Sequence, residues 1–208
     1  MKDKRIIREK DWMQAKKNAW EWIQSGHKQY IATKILYWKG FSLQFALVGA
    51  HAMELYLKGF LIHKTGKYPR GHALDAIYRE CMKYDPFFDN AHLIVHFLPE
   101  SIYDNVLPER WTNYVEHIRY PESLVEKPLP GFVIETGTDC SGTCDSLDQV
   151  AYFMHKNIPQ PQKMVGDNSV IDKLLTGKGY LWNVRRRENA AEIIELFLRY
   201  NKYFTENS

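Results

Sequence analysis

The chain has 208 residues, 45% of them hydrophobic and 25% charged. That apolar share excludes wholesale disorder, and the length suits one good-sized core. A formal net charge of +3 permits a nucleic-acid partner without demanding one, because such binding needs clustered charge rather than a small excess.

The opening residues Met1 to Lys10 are charged throughout and lack the apolar stretch of a signal peptide. Three cysteines are too few for a disulfide framework, so the expected setting is a reducing cytoplasm. A first helix is predicted from Asp11 to Trp38, with Gly26 as a place where it can divide in two and Gly40 as its C-cap. Tyr30, Ile31, Lys34, Ile35, Tyr37 and Trp38 carry the helical spacing of its second half. The next helix, Ser42 to His63, is apolar nearly all round, which belongs at the centre of a bundle. Gln44, His51, Glu54 and Lys58 interrupt it and would be costly in lipid, so it reads as a buried helix with no membrane span.

Thr65 to Gly71 reads as a loop, and a short helix is predicted from His72 to Tyr84, ended by Asp85-Pro86. Ala91 to Leu98 has helical composition. Pro108 is placed to open another helix, with Trp111, Tyr114, Val115 and Ile118 as its stripe. Residues 121–146 read as an irregular excursion, with Phe132 to Thr136 as a candidate short strand. A helix from Ser146 to Asn157 follows. Residues 158–180 read as a loop holding one turn around Ile171 to Leu175. The last helix is predicted from Arg186 to Phe204, with Ile193, Phe197, Tyr200 and Phe204 on one face. About five main helices predict an all-α, up-and-down helical bundle, with residues 1–208 forming a single domain.

His51, Glu54 and Lys58 project from one side of the central helix, and Glu54 and Lys58 stand at i, i+4. His72, past the loop, can fold back toward them. The group reads first as a structural polar network and second as a ligand or nucleotide pocket.

The run from Ala50 to Ile62 resembles the helix of HEPN domains that has an alanine-rich start, then Glu-Leu-x-Leu-Lys and an apolar tail. Gly66 and His72-Ala73-Leu74 are similar to that family's glycine-containing loop and His-x-Leu. Tyr30, Ala32 and Gly40 fit its upstream helix. The correspondence is good over residues 20–85 and looser through Pro121. The resemblance implies a four- or five-helix bundle, frequent homodimers, and roles around nucleotides or RNA. Many members are metal-independent endoribonucleases of defence or toxin–antitoxin systems, which implies an antitoxin-type protein partner as one option. Those nucleases carry an Arg, a polar residue and then a His.

Arg110 and His117 are the candidate pair here. At i and i+7 they lie about 20° apart on an ideal helix. A histidine can act as general base on a ribose hydroxyl, and an arginine can stabilise charge on the phosphate. Trp111 stands where nuclease members have a polar residue. The bland alternative is a solvated helix flank.

Cys140 and Cys144 lack two further zinc ligands at matched spacing, so they read as thiols in a loop, with no metal and no cofactor implied. Arg185, Arg186 and Arg187 follow Trp182. They form a candidate nucleic-acid patch, or a solvated helix start whose charge opposes the helix dipole. The leading expectation is a HEPN-like binding module for RNA, a nucleotide or a protein partner that does not cut. The alternatives are an endoribonuclease using Arg110 and His117, and a purely structural interaction domain.

Overall fold

The computed structural model describes residues 9–95, 141–158, 169–176, 187–199 and 201–205. The expected helix from Pro108 with Arg110 and His117, the candidate strand Phe132 to Thr136, Cys140, and Trp182, Arg185 and Arg186 lie outside these. Among the described residues the regular structure is helical, with no strand.

Helix α1 spans Glu9–Trp38 and α2 spans Ser42–Thr65. The turn between them is a Schellman close: Phe41 N–H donates to the Leu36 carbonyl and Gly40 N–H to that of Tyr37, with Gly40 at φ 78°. The partners then step in opposite directions along the two helices. Tyr37 meets Phe45, Gly26 meets Tyr56, and Gly59 meets Ile23. The two helices therefore form an antiparallel hairpin.

The division expected at Gly26 does not occur. Its glycine serves close approach instead: a Cβ there would sit 2.7 Å from the Tyr56 ring, and one at Gly59 would sit 2.7 Å from the end of Ile23. Helix α2 closes on Gly66, whose φ of 71° is left-handed and whose N–H reaches the Ile62 carbonyl. The stretch Gln44–Thr65 is long and apolar enough to cross a membrane, but 72% of it is buried inside the fold.

Helix α3 covers Leu74–Met82, two residues inside each end of the expected span. His72 is thus a loop residue and not a helical one. Gly71 at φ 102° and an extended Ala73 keep the chain out of the helix there. Past Asp85, whose carboxylate accepts from Phe87 N–H, a 3-10 turn runs over Pro86–Asp89. It inserts Phe88 into the core. Helix α4 is the single turn His92–Val95.

Helix α5 spans Ser141–Asn157, so the chain is helical from Ser141 rather than irregular up to Ser146. Cys144 is buried within α5, not carried on a loop. Helix α6, Val170–Thr176, matches the expected turn and is capped by the Ser169 hydroxyl. The expected long final helix is two: α7, Arg187–Leu198, and α8, Lys202–Thr205. Asn201 makes the break. Its side-chain NH2 is drawn inward to the Tyr30 hydroxyl while its Oδ1 accepts from Phe204 N–H.

One core joins these elements, from Ile23 on α1 to Phe204 on α8. Phe60, Phe88 and Phe153 meet where α2, the 3-10 turn and α5 converge, and Phe87 stacks on Phe153 at 4.0 Å. Aromatic pairs of this kind add about 0.5–1.5 kcal/mol each beyond their buried area.

Candidate functional site

At the end of the hairpin farther from its turn, α2 buries two opposite charges one helical turn apart. Lys58 Nζ donates to Glu54 Oε1 at 2.7 Å and to the Gly71 carbonyl at 2.7 Å. Both side chains are about 95% shielded from solvent. Glu54 Oε1 also lies 2.9 Å from His72 Nδ1. The ammonium stands 5.9 Å from the Trp22 ring and 5.4 Å from the Tyr68 ring, and those rings pack together at 4.8 Å. A buried ammonium needs compensation for lost water. Here a carboxylate, a carbonyl and two aromatic faces supply it.

Burial alone would raise the Glu54 pKa, but hydrogen bonds from Lys58 and His72, with their charges, carry it below the ordinary carboxylate range. The carboxylate therefore stays ionised at neutral pH. The cluster grips residues Gly71 and His72 from beneath and so fixes the loop leaving α2. His72 is left half-exposed. His51 is half-buried one turn earlier on α2.

A second buried network lies deeper. Lys34 Nζ on α1 donates to Asp148 Oδ2 on α5 at 2.8 Å, and the Tyr30 hydroxyl donates to Asp148 Oδ1. Asn201 in turn donates to the Tyr30 oxygen at 2.7 Å. Burial raises the Asp148 pKa, and the Lys34 charge and its hydrogen bond oppose that rise. Burial and the adjacent carboxylate push Tyr30 far above its usual value, so it stays a donor. Close by, His27 Nδ1 lies 2.8 Å from the Tyr56 hydroxyl, and the His27 ring faces His155 at 6.0 Å. Burial, and then His155, hold the His27 pKa well below 6.5.

These geometries stabilise and position; neither network presents two adjacent groups to solvent as a nucleophile and its base would be. Among the described residues, no group of three or more His, Cys, Asp or Glu side chains is arranged to hold a metal ion.

Residues 19–128, the segment matched by the family model of the HEPN domain, take in α1 from Ala19 on, all of α2, the pinned loop and α3, and make up more than half of the chain. The chain belongs to the HEPN family. No curated protein and no solved structure matches it.

HEPN domains are nucleotide-associated or RNase-type, and that coarse class applies here. Helices α5 to α8 fall beyond the matched segment, yet they pack onto the same core as the HEPN hairpin. Of the residues singled out in the sequence, Glu54, Lys58 and His72 come together. Arg187 is the first residue of α7.

Sequence reasoning missed the Asp148 network and the Trp22 and Tyr68 rings around Lys58. A signal for the first was present: Asp148 interrupts the apolar stripe of Leu147, Val150, Ala151 and Met154. A carboxylate in that position has to find a buried partner.

Proposed function

We propose that this HEPN domain binds RNA or a nucleotide without cutting it, as a homodimer in the cytoplasm. An antitoxin-type protein is the partner class consistent with that reading. The observation that carries the non-catalytic part is Trp111, which follows Arg110 where the family's nucleases have a polar residue. Lys58 has a carboxylate, a carbonyl and two rings as partners, and Glu54 is held by both Lys58 and His72. Glu54, Lys58 and His72 thus hold a loop. Family membership supports the nucleotide or RNA part.

The spacing of Arg110 and His117 favours one alternative, a metal-independent endoribonuclease. The full chain incubated with end-labelled single-stranded RNA in excess chelator separates the two. The expected outcome is salt-dependent binding, weakened when Arg185, Arg186 and Arg187 are neutralised, with the RNA left intact. Cleavage that disappears in both Arg110→Ala and His117→Ala would replace the binding reading with the nuclease. A purely structural domain would neither bind nor cut. Sedimentation of the same preparation is expected to give a dimer.

A further inference from the structure

The stretch from residue 55 to residue 74 contains Lys58, Lys64, Lys67 and Arg70, with His63 and His72, and not one Asp or Glu. Glu54 before it and Asp75 after it are both buried. Lys58 faces inward. Lys64 points to Asp85 across 3.8 Å. Lys67, Tyr68, Arg70 and His72 are exposed around one turn of loop. The surface of this loop is therefore cationic without an interleaved acid, in a protein whose overall excess is only +3.

The loop is also held in shape. Gly66 closes α2 in the left-handed conformation, and the Thr65 hydroxyl, within donating reach of the Leu61 and Lys67 carbonyls, accepts from Lys67 N–H. Lys58 holds the Gly71 carbonyl and Glu54 holds His72. Tyr68 packs on Trp22 and still leaves 43% of its surface to solvent. A fixed backbone that exposes two cations and a partly open aromatic ring within four residues avoids most of the ordering cost of binding.

We infer that the loop Lys67–His72 is a contact surface for single-stranded RNA, with Lys67 and Arg70 on backbone phosphates and the Tyr68 ring stacking a base. This rests on the RNA reading above and assigns it to residues other than Trp182 and Arg185 to Arg187. The chemistry favours a single strand over a membrane. Flat aromatic faces beside guanidinium and ammonium groups suit unstacked bases on a phosphate chain. The loop carries no aliphatic side chain to enter a bilayer: between Gly66 and Ala73 the residues are Lys, Tyr, Pro, Arg, Gly and His.

The test uses the full chain and a fluorescent single-stranded oligonucleotide of about 12 nucleotides, a length within the span such surfaces cover. Its 2′-hydroxyls are methylated so that cleavage cannot intervene. Affinity is read by anisotropy over a range of salt. Lys67→Glu with Arg70→Glu is expected to weaken binding at least tenfold and to lower the salt slope by about 1.4, the value for two phosphate contacts on a single strand. Tyr68→Leu keeps an apolar cover over Trp22 but no π face, and is expected to weaken binding about 5- to 160-fold with the slope unchanged. Tyr68→Phe is expected to bind as the native protein does. Thermal melting of each variant checks that the fold is retained.

Three results overturn the inference in different ways. Charge reversal in the loop without effect, while reversal at Arg185 to Arg187 abolishes binding, would leave the RNA reading standing and remove this surface. No binding by the native chain would remove both. Equal affinity for polyglutamate or phosphatidylserine vesicles, with Tyr68→Leu unaltered, would make the loop a general polyanion or membrane contact.

Discussion

Lys58 and His27 show two ways a helix tolerates a titratable group in its buried face. Lys58 gathers polar and aromatic partners around its head; His27 gives its charge up. For Lys58→Met, the Glu54 carboxylate stays buried and loses its closest cation, which is expected to cost about 3–5 kcal/mol in urea denaturation. Adding Glu54→Gln to that variant is expected to recover part of the loss, because the stranded charge is then gone. A single-variant cost below about 1 kcal/mol, the range of an exposed pair, would mean that water reaches the pair.

His27 makes a prediction about pH. In the unfolded chain it titrates near 6.5, while burial and His155 hold it well below that in the fold. Below about pH 6.5 the unfolded chain therefore binds a proton that the folded protein refuses, and stability falls as the pH falls. Each unit removes up to about 1.4 kcal/mol for this group. His155 acts in the same direction, since burial lowers it too, against the pull of Asp172. Asp148 acts oppositely in acid, because its raised pKa makes the folded state the better proton acceptor. Urea midpoints of the native chain and of His27→Gln at pH 7.5 and 5.5 isolate the histidine. The native chain is expected to lose stability between the two, and the variant to lose less. Equal losses would show that His27 is hydrated in the folded state.

Among the elements, the α1–α2 hairpin depends on glycine where the backbones come closest. The Tyr56 ring that meets Gly26 is buried and within hydrogen-bonding distance of His27, so it has little room to retreat. Gly26→Ala gains about 1 kcal/mol of helix propensity but incurs overpacking of about 1–3 kcal/mol. The net expectation is destabilisation, read as a melting temperature lower by a few degrees at this chain length. A higher melting temperature would show that the helices can part to admit a methyl group. The same close approach is why α1 continues through Gly26. Sequence reasoning treats an isolated glycine as a break because it counts the cost to one helix and cannot see the neighbour that needs the space.

For the whole molecule, the Lys34–Asp148–Tyr30–Asn201 network joins α1, α5 and the α7–α8 junction, three parts far apart in the chain. Asp148→Asn removes the buried carboxylate that Lys34 Nζ donates to. The expected cost is about 3–5 kcal/mol. Hydrogen exchange should show it unevenly, with amides of α7 and α8 losing more protection than those of the α1–α2 hairpin. Uniform loss across all the helices would mean that the network stabilises the bundle as one unit and does not dock its C-terminal part.

The linear chain alone displays the helical class, the two long helices, the glycine that closes the first of them, the family, and the approach of His72 to Glu54 and Lys58. These follow from local periodicity, capping chemistry and short-range spacing, all of which a linear chain displays. Tertiary structure decided the rest. His72 belongs to the loop because Lys58 and Glu54 hold it there. The last helix divides because Asn201 turns inward to Tyr30, 171 residues away in the chain. Asp148 is a buried anion because Lys34 lies opposite it, 114 residues distant. A buried polar group is tolerated only through its partners, and the fold chooses those partners from anywhere along the chain.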